Sequence, residues 1–83
     1  MEIIWDERKR TSNLAKHGYD FADLSGVFFE TAMELGTYGG RRLAIGRFGT
    51  GSIVVVYRPL GSEAISVISM RPADRKERSR VHD

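Results

Sequence analysis

Cysteine is absent from the chain, which excludes disulfides, thiolate nucleophiles and cysteine-ligated zinc together. The histidines are His17 and His82, in opposite terminal segments. Neither belongs to an HExxH or other short-spaced ligand set, so no metal centre is expected. Gly36, Gly39 and Gly40 do not join a strand to a helix, so no P-loop or dinucleotide fingerprint is present and no cofactor is expected. A G-x-S-x-G elbow is missing as well. No apolar run approaches the roughly 18 residues of a membrane span, and the opening Met1-Glu2-Ile3-Ile4-Trp5-Asp6 lacks the basic and apolar regions of a secretory signal. A cytoplasmic protein with no membrane partner is the expectation. Charge of one sign is not in large excess either: the net value is +2, so what matters is where the cations lie.

What the chain does have is one continuous β-branched and aromatic run, Ile53-Val54-Val55-Val56-Tyr57, bounded by Gly49-Thr50-Gly51-Ser52 and Pro59-Leu60-Gly61-Ser62. The run does not alternate, which predicts a central strand covered on both faces. With 83 residues the chain is expected to form a single α+β domain over 1–83, at a size where only about 60% of the unfolded surface is buried.

Glu2 to Trp5 reads as a short strand, and Asp6 as the N-cap of a helix ending near His17, where Gly18 supplies the left-handed position. Thr11, Leu14 and Ala15 are expected to face the core. Lys9, Ser12, Asn13 and Lys16 gather on the opposite side with Arg10 and His17 nearby, either as a solvated face or as a cationic strip suited to a phosphate backbone. Asp20 is the cap of a second helix, with Tyr19 as its hydrophobic staple, whose apolar residues Phe21, Leu24, Val27 and Phe28 bury one face. Thr31 to Thr37 is ambiguous. Strands follow over Arg41–Phe48, the central run and Ala64–Met70. In the last of these Ile65, Val67, Ser69 and Arg71 share one face. Pro72 suits the first turn of a third helix through Asp74 to His82, with Ala73, Glu77 and Val81 as its contact stripe.

The chemistry this pattern suggests is metal-free RNA cleavage. Such a reaction needs a base for the 2′-hydroxyl proton, cations for the phosphate and an acid for the leaving 5′-oxygen. His17, Arg42, Tyr57, Ser69 and Arg71 are residue types that supply these roles. A non-catalytic module binding nucleic acid or a partner through its basic termini is the alternative.

The run Trp5-Asp6-Glu7-x-Lys9-x-x-x-Asn13-x-x-Lys16-His17-Gly18, with Phe21 and Val27-Phe28, resembles the opening of the BrnT toxins of type II toxin–antitoxin systems. Arg41-Arg42-x-x-x-Ile45-Gly46, Val54-Val55-Val56-Tyr57, Ile68-Ser69-x-Arg71-x-Ala73 and Glu77-Arg78 follow in that family's order. The resemblance implies a RelE-like fold with a first strand, two helices, a three-stranded antiparallel meander and a C-terminal helix. It implies a ribonuclease that arrests growth by cleaving RNA. A BrnA-type ribbon-helix-helix antitoxin is implied as partner, with operator DNA reached only through the complex; a co-repressor without activity is the corresponding alternative. Carried onto this sequence, the expected catalytic residues are Lys9, His17, Arg42, Ser69 and Arg71. Asn13, Lys16, Tyr57 and Arg78 are expected to bind RNA. In this scheme Arg71 and Arg42 hold the scissile phosphate, and His17 or Lys9 moves the proton.

Overall fold

The computed structural model describes residues 1–80. It runs β1 (Glu2–Trp5), α1 (Glu7–His17), a 3-10 turn (Phe21–Asp23), α2 (Gly26–Thr31), β2 (Met33–Tyr38), β3 (Arg41–Phe48), β4 (Gly51–Leu60), β5 (Ala64–Pro72) and α3 (Arg75–Ser79). The β-branched run lies inside β4, which takes the middle of a five-stranded sheet of order β1-β5-β4-β3-β2. Strands β2 to β5 form an antiparallel meander, and β1 closes the other edge parallel to β5.

Both faces of β4 are covered, as its lack of alternation requires. Ile53, Val55 and Tyr57 pack with Phe21, Leu24 and Phe28 in the main core, while Val54 packs with Ile45 and Ala73 on the other side. Fully burying side chains of this size stabilises by about 1.5–3 kcal/mol each, so β4 contributes a large share of the fold's apolar free energy.

Several elements differ from the sequence expectation. The meander has four strands, because Met33–Tyr38 adds β2. Its alternation is hidden by a bulge: Glu34 pairs with Ala44 and Gly36 with Leu43, which leaves Leu35 as the extra residue. The second helix is broken in two. Leu24 is extended (ψ 144°) and α2 starts afresh at Gly26, so the helical spacing does not run through, and Val27 is 65% exposed while Phe29 joins the core instead. Asp20 does cap as expected, accepting from the Ala22 N–H at 2.9 Å. Pro72 ends β5 rather than opening a helix. The cap of α3 is Asp74, in a reciprocal capping box with Glu77. The expected extension of that helix to His82, with Val81 in its stripe, lies outside the described residues.

A second bulge alters the face of the last strand. Val56 pairs with Ser69 and Tyr57 with Val67, so Ile68 is the additional residue in β5. Ile65, Val67 and Met70 therefore line the main core together. Ser69 and Arg71 pair instead with Val56 and Val54 and belong to the other face.

Helix α1 is also rotated from its expected setting. Leu14 is 42% exposed and Asn13 only 7%; Thr11 and Ala15 are exposed too. The cause is where the helix lies. β1 pairs with β5 only as far as Val67, and α1 runs along the edge left open beyond it, where unpaired backbone groups call for an amide rather than a leucine. Asn13 supplies it: its Oδ1 accepts from the Met70 N–H at 3.1 Å and its Nδ2 donates to the Met70 carbonyl at 3.0 Å. One side chain thus continues the sheet in place of a strand.

One glycine is required by space rather than by backbone angle. A Cβ on Gly46 of β3 would stand 2.8 Å from Phe28 Cε2 and 3.4 Å from Ala32 Cβ. The Phe28 ring is buried and has little room to retreat. Gly46→Ala is expected to cost about 1–3 kcal/mol by overpacking, read as a lower urea midpoint at unchanged slope. An unchanged midpoint would show that α2 shifts freely.

Candidate active site

Two sites carry most of the residues singled out by the sequence. The first is a cleft of about 320 Å³ between α1 and the bulged part of β5, lined by Arg8, Lys9, Ser12, Asn13, Lys16, His17, Ile68 and Ser69. Local structure holds the helix in one rotational setting. Asp6 accepts the Arg8 N–H at 2.8 Å, Gly18 (φ 76°) closes the C-terminus on the Leu14 carbonyl at 2.9 Å, and Asn13 ties the middle to Met70. Arg10 fixes the remaining side. It reaches Asp20 through Nε (2.7 Å) and Nη2 (3.0 Å), and Glu7 through Nη1. Those bonds hold the Asp20 carboxyl down at about 2. Arg10 is therefore an anchor and leaves the cationic strip that the helical spacing gave it. Lys9, Ser12 and Lys16 remain on the cleft side, with half-buried His17 as the last residue of the helix.

Within the cleft the roles separate. Asn13 spends its whole amide internally: besides the two bonds to Met70, Nδ2 donates to the Tyr19 carbonyl at 3.2 Å and Oδ1 accepts from Ser69 Oγ at 3.2 Å. Nothing is left over for RNA. Arg8, Lys9 and Lys16 bring three positive charges, His17 an imidazole and Ser12 a hydroxyl, and no carboxylate is among the lining residues. An anion is the ligand such a surface attracts.

The second site lies between α2 and the sheet and gathers Glu34, Arg42 and Tyr57. Arg42 and Tyr57 are directly opposed on β3 and β4. The Tyr57 hydroxyl donates to the Glu34 carboxylate. Burial first, then the hydrogen bond to Glu34, pushes the phenol up to about 12, so it stays a proton donor at neutral pH.

Arg71 and Arg78, the remaining candidates, sit at the junction of β5 and α3. Both Nη atoms of Arg71 donate to the Glu77 carboxylate at 2.8 Å. This bidentate bond holds the Glu77 carboxyl at about 2. Arg78 Nη1 donates to the Ala73 carbonyl at 2.9 Å. The sequence candidates are thus divided among three places: Lys9, Asn13, Lys16, His17 and Ser69 in the cleft, Arg42 and Tyr57 in the second site, Arg71 and Arg78 beside α3. Sequence reasoning overlooked Arg8 and Ile68 as lining residues, Glu34, and the pairing role of Glu77. Arg8 carried a signal, since it stands one turn before Ser12. Glu34 carried none while β2 was unassigned.

Among the described residues no group of three or more His, Cys, Asp or Glu side chains is placed to hold a metal ion, and no helix is long and apolar enough to cross a membrane. A family model described as "Ribonuclease toxin, BrnT, of type II toxin-antitoxin system" matches residues 5–77. Among solved structures, the crystal structure of the Brucella abortus ribonuclease toxin BrnT is similar, with 55% identity, a TM-score of 0.83, and coverage of 90% of this chain and 99% of that one. A search of curated proteins gave no match. The matched span includes both bulged strands, α1 with its cleft and the Arg71–Glu77 pair, and on that ground the chain belongs to the BrnT family of ribonuclease toxins of type II toxin–antitoxin systems.

Proposed function

We propose that the chain is a metal-independent endoribonuclease that acts in the cleft between α1 and β5. The observation that carries this reading is the lining itself: three cations, an imidazole and two hydroxyls in one cleft, with no carboxylate among them. Lys9, Lys16 and Arg8 hold the phosphates flanking the scissile bond and offset the charge that builds on the equatorial oxygens. His17 takes the proton from the 2′-hydroxyl or returns one to the leaving oxygen. The 2′-oxygen forms a bond to phosphorus as the P–O5′ bond breaks, so the products are a 2′,3′-cyclic phosphate and a 5′-hydroxyl. Ser69 positions the substrate through its remaining lone pairs. Arg71 joins the phosphate site only when an incoming anion displaces Glu77 from its fork.

A helical layer on one side of an antiparallel meander supports assignment to the RelE-like folds. Within a type II system the partner proposed is a BrnA-type ribbon-helix-helix antitoxin, with operator DNA contacted only through that complex, and the setting is the cytoplasm. The test is incubation of the purified protein with a defined RNA in EDTA, with both product ends mapped. Cleavage leaving a cyclic phosphate is the expected result. A 3′-hydroxyl product, or loss of activity in EDTA that a divalent cation restores, would overturn the mechanism. Salt-sensitive RNA binding without any cleavage would favour the binding-module alternative instead.

A further inference from the structure

The second site holds none of the groups assigned above to bond cleavage, yet it is a pocket of about 320 Å³, at the small end of the range of ligand sites. Its walls are largely apolar, with Phe29, Ala32, Ala44 and Ile65 among them, and its polar side chains are Glu34, Arg42, Tyr57 and Ser62. Arg42 and Tyr57 project from opposed positions on β3 and β4, and Glu34 pairs with Ala44, two residues along from Arg42. All three side chains therefore leave the same face of the sheet. Phe29 stands edge-on to the Tyr57 ring at 5.3 Å, which fixes the ring. The Tyr57 hydroxyl in turn donates to Glu34 Oε1, orienting the carboxylate while leaving Oε2 and further lone pairs on Oε1 as acceptors.

We infer that this pocket takes a guanine base, so that it selects where an RNA is cut. The inference rests on the ribonuclease reading. A carboxylate offers two adjacent acceptors and no donor. Among the four RNA bases only guanine presents two adjacent donors, N1–H and the exocyclic amine, on its Watson–Crick edge; adenine, cytosine and uracil each place at least one acceptor where the carboxylate is already electron-rich. Guanine also carries the O6 and N7 acceptor pair that a guanidinium reads in bidentate fashion, and Arg42 is the guanidinium at the pocket. Single-stranded RNA is read in this way, by a base splayed into an apolar pocket and bonded on its edges. Glu34 and Arg42 are then specificity-determining residues, and Tyr57 is a positioning residue that acts through Glu34.

The test is titration of isotope-labelled protein with GMP, AMP, CMP and UMP, which share the phosphate and so cancel its binding to the α1 cleft. GMP is expected to bind about tenfold or more tightly than the other three and to shift the resonances of Glu34, Arg42 and Tyr57. Glu34→Gln, which replaces one acceptor with a donor, is expected to remove that preference while the circular dichroism spectrum is unchanged. Equal affinities, or shifts confined to α1, would overturn the inference. Since the titration needs no cleavage, the two readings fail separately. GMP selectivity in a protein that cuts no RNA keeps the pocket and sinks the ribonuclease, whereas cleavage without guanosine bias in the parent and in Glu34→Gln sinks the pocket alone.

Discussion

His17→Ala is expected to slow RNA cleavage by about 10²- to 10⁴-fold, the usual range for a positioned acid or base, and to leave the protein folded. The expectation follows from elimination within the cleft. Arg8, Lys9 and Lys16 supply charge, Ser69 donates its hydroxyl proton to Asn13, and Asn13 is fully bonded. Of the groups left, Ser12 offers only a weakly acidic hydroxyl, and the imidazole is the side chain suited to both taking and returning a proton. A competing role exists for the same residue. His17 is the last residue of α1, where a cation interacts with the helix dipole and is worth about 0.3–1 kcal/mol. The two roles give different patterns. A cap alone predicts a small drop in melting temperature with cleavage retained within a few-fold, and that outcome would remove His17 from the chemistry. Lys9→Ala provides the contrast: removing a cation that both holds a phosphate and offsets the charge building on it should raise KM and lower kcat together.

What was legible in the sequence is what local chemistry determines without reference to distant strands. The β-branched run announced β4 because nothing but a doubly covered strand accommodates five such residues. Asp6 and Gly18 announced the ends of α1 because caps act within a few residues of themselves. Failures occurred where a distant partner decided the outcome. Leu14 rather than Asn13 was expected to turn inward because apolarity is the general rule for helix faces, whereas the neighbour here is the open backbone edge of β5, 57 residues away in the chain. The bulges at Leu35 and Ile68 shift alternation by one residue, and register of that kind is set by the partner strand. The site shows the same division. Lys9, Lys16, His17 and Ser69 were found by residue type and do share a cleft, but their separation from Arg42 and Tyr57 required the sheet. Residue type alone makes Arg71 a phosphate ligand, whereas the Asp74-x-x-Glu77 capping box, itself a local signal, brings Glu77 round to pair with it.

Asn13→Ala is expected to be the most destabilising polar substitution in the chain. The amide is only 7% exposed, and it satisfies the Met70 N–H, the Met70 carbonyl, the Tyr19 carbonyl and Ser69 Oγ at 3.0–3.2 Å. Alanine would leave the Met70 N–H and both carbonyls without these partners, each at about 1–3 kcal/mol when buried. Water entering beside α1 recovers part of that. A net loss of about 2–4 kcal/mol is expected, and a domain of this length melts about 4–8 °C lower for each kcal/mol lost. The melting temperature should therefore fall by roughly 8–32 °C, a large share of the margin available to a small domain. Asn13→Asp separates hydrogen bonding from packing. It keeps the shape and both acceptor positions but turns a carboxylate toward the Met70 and Tyr19 carbonyls, so protonation of the introduced acid is favoured by folding. Its folded pKa is raised, and by linkage the variant should regain stability as the pH falls through that value. The parent, whose Asp20 and Glu77 carboxyls are held at about 2, instead loses stability as the pH falls toward their pKa. A change below 0.5 kcal/mol for Asn13→Ala would show that β5 closes its own edge, and that α1, with the cleft it carries, is held chiefly by Arg10 and its two carboxylate partners.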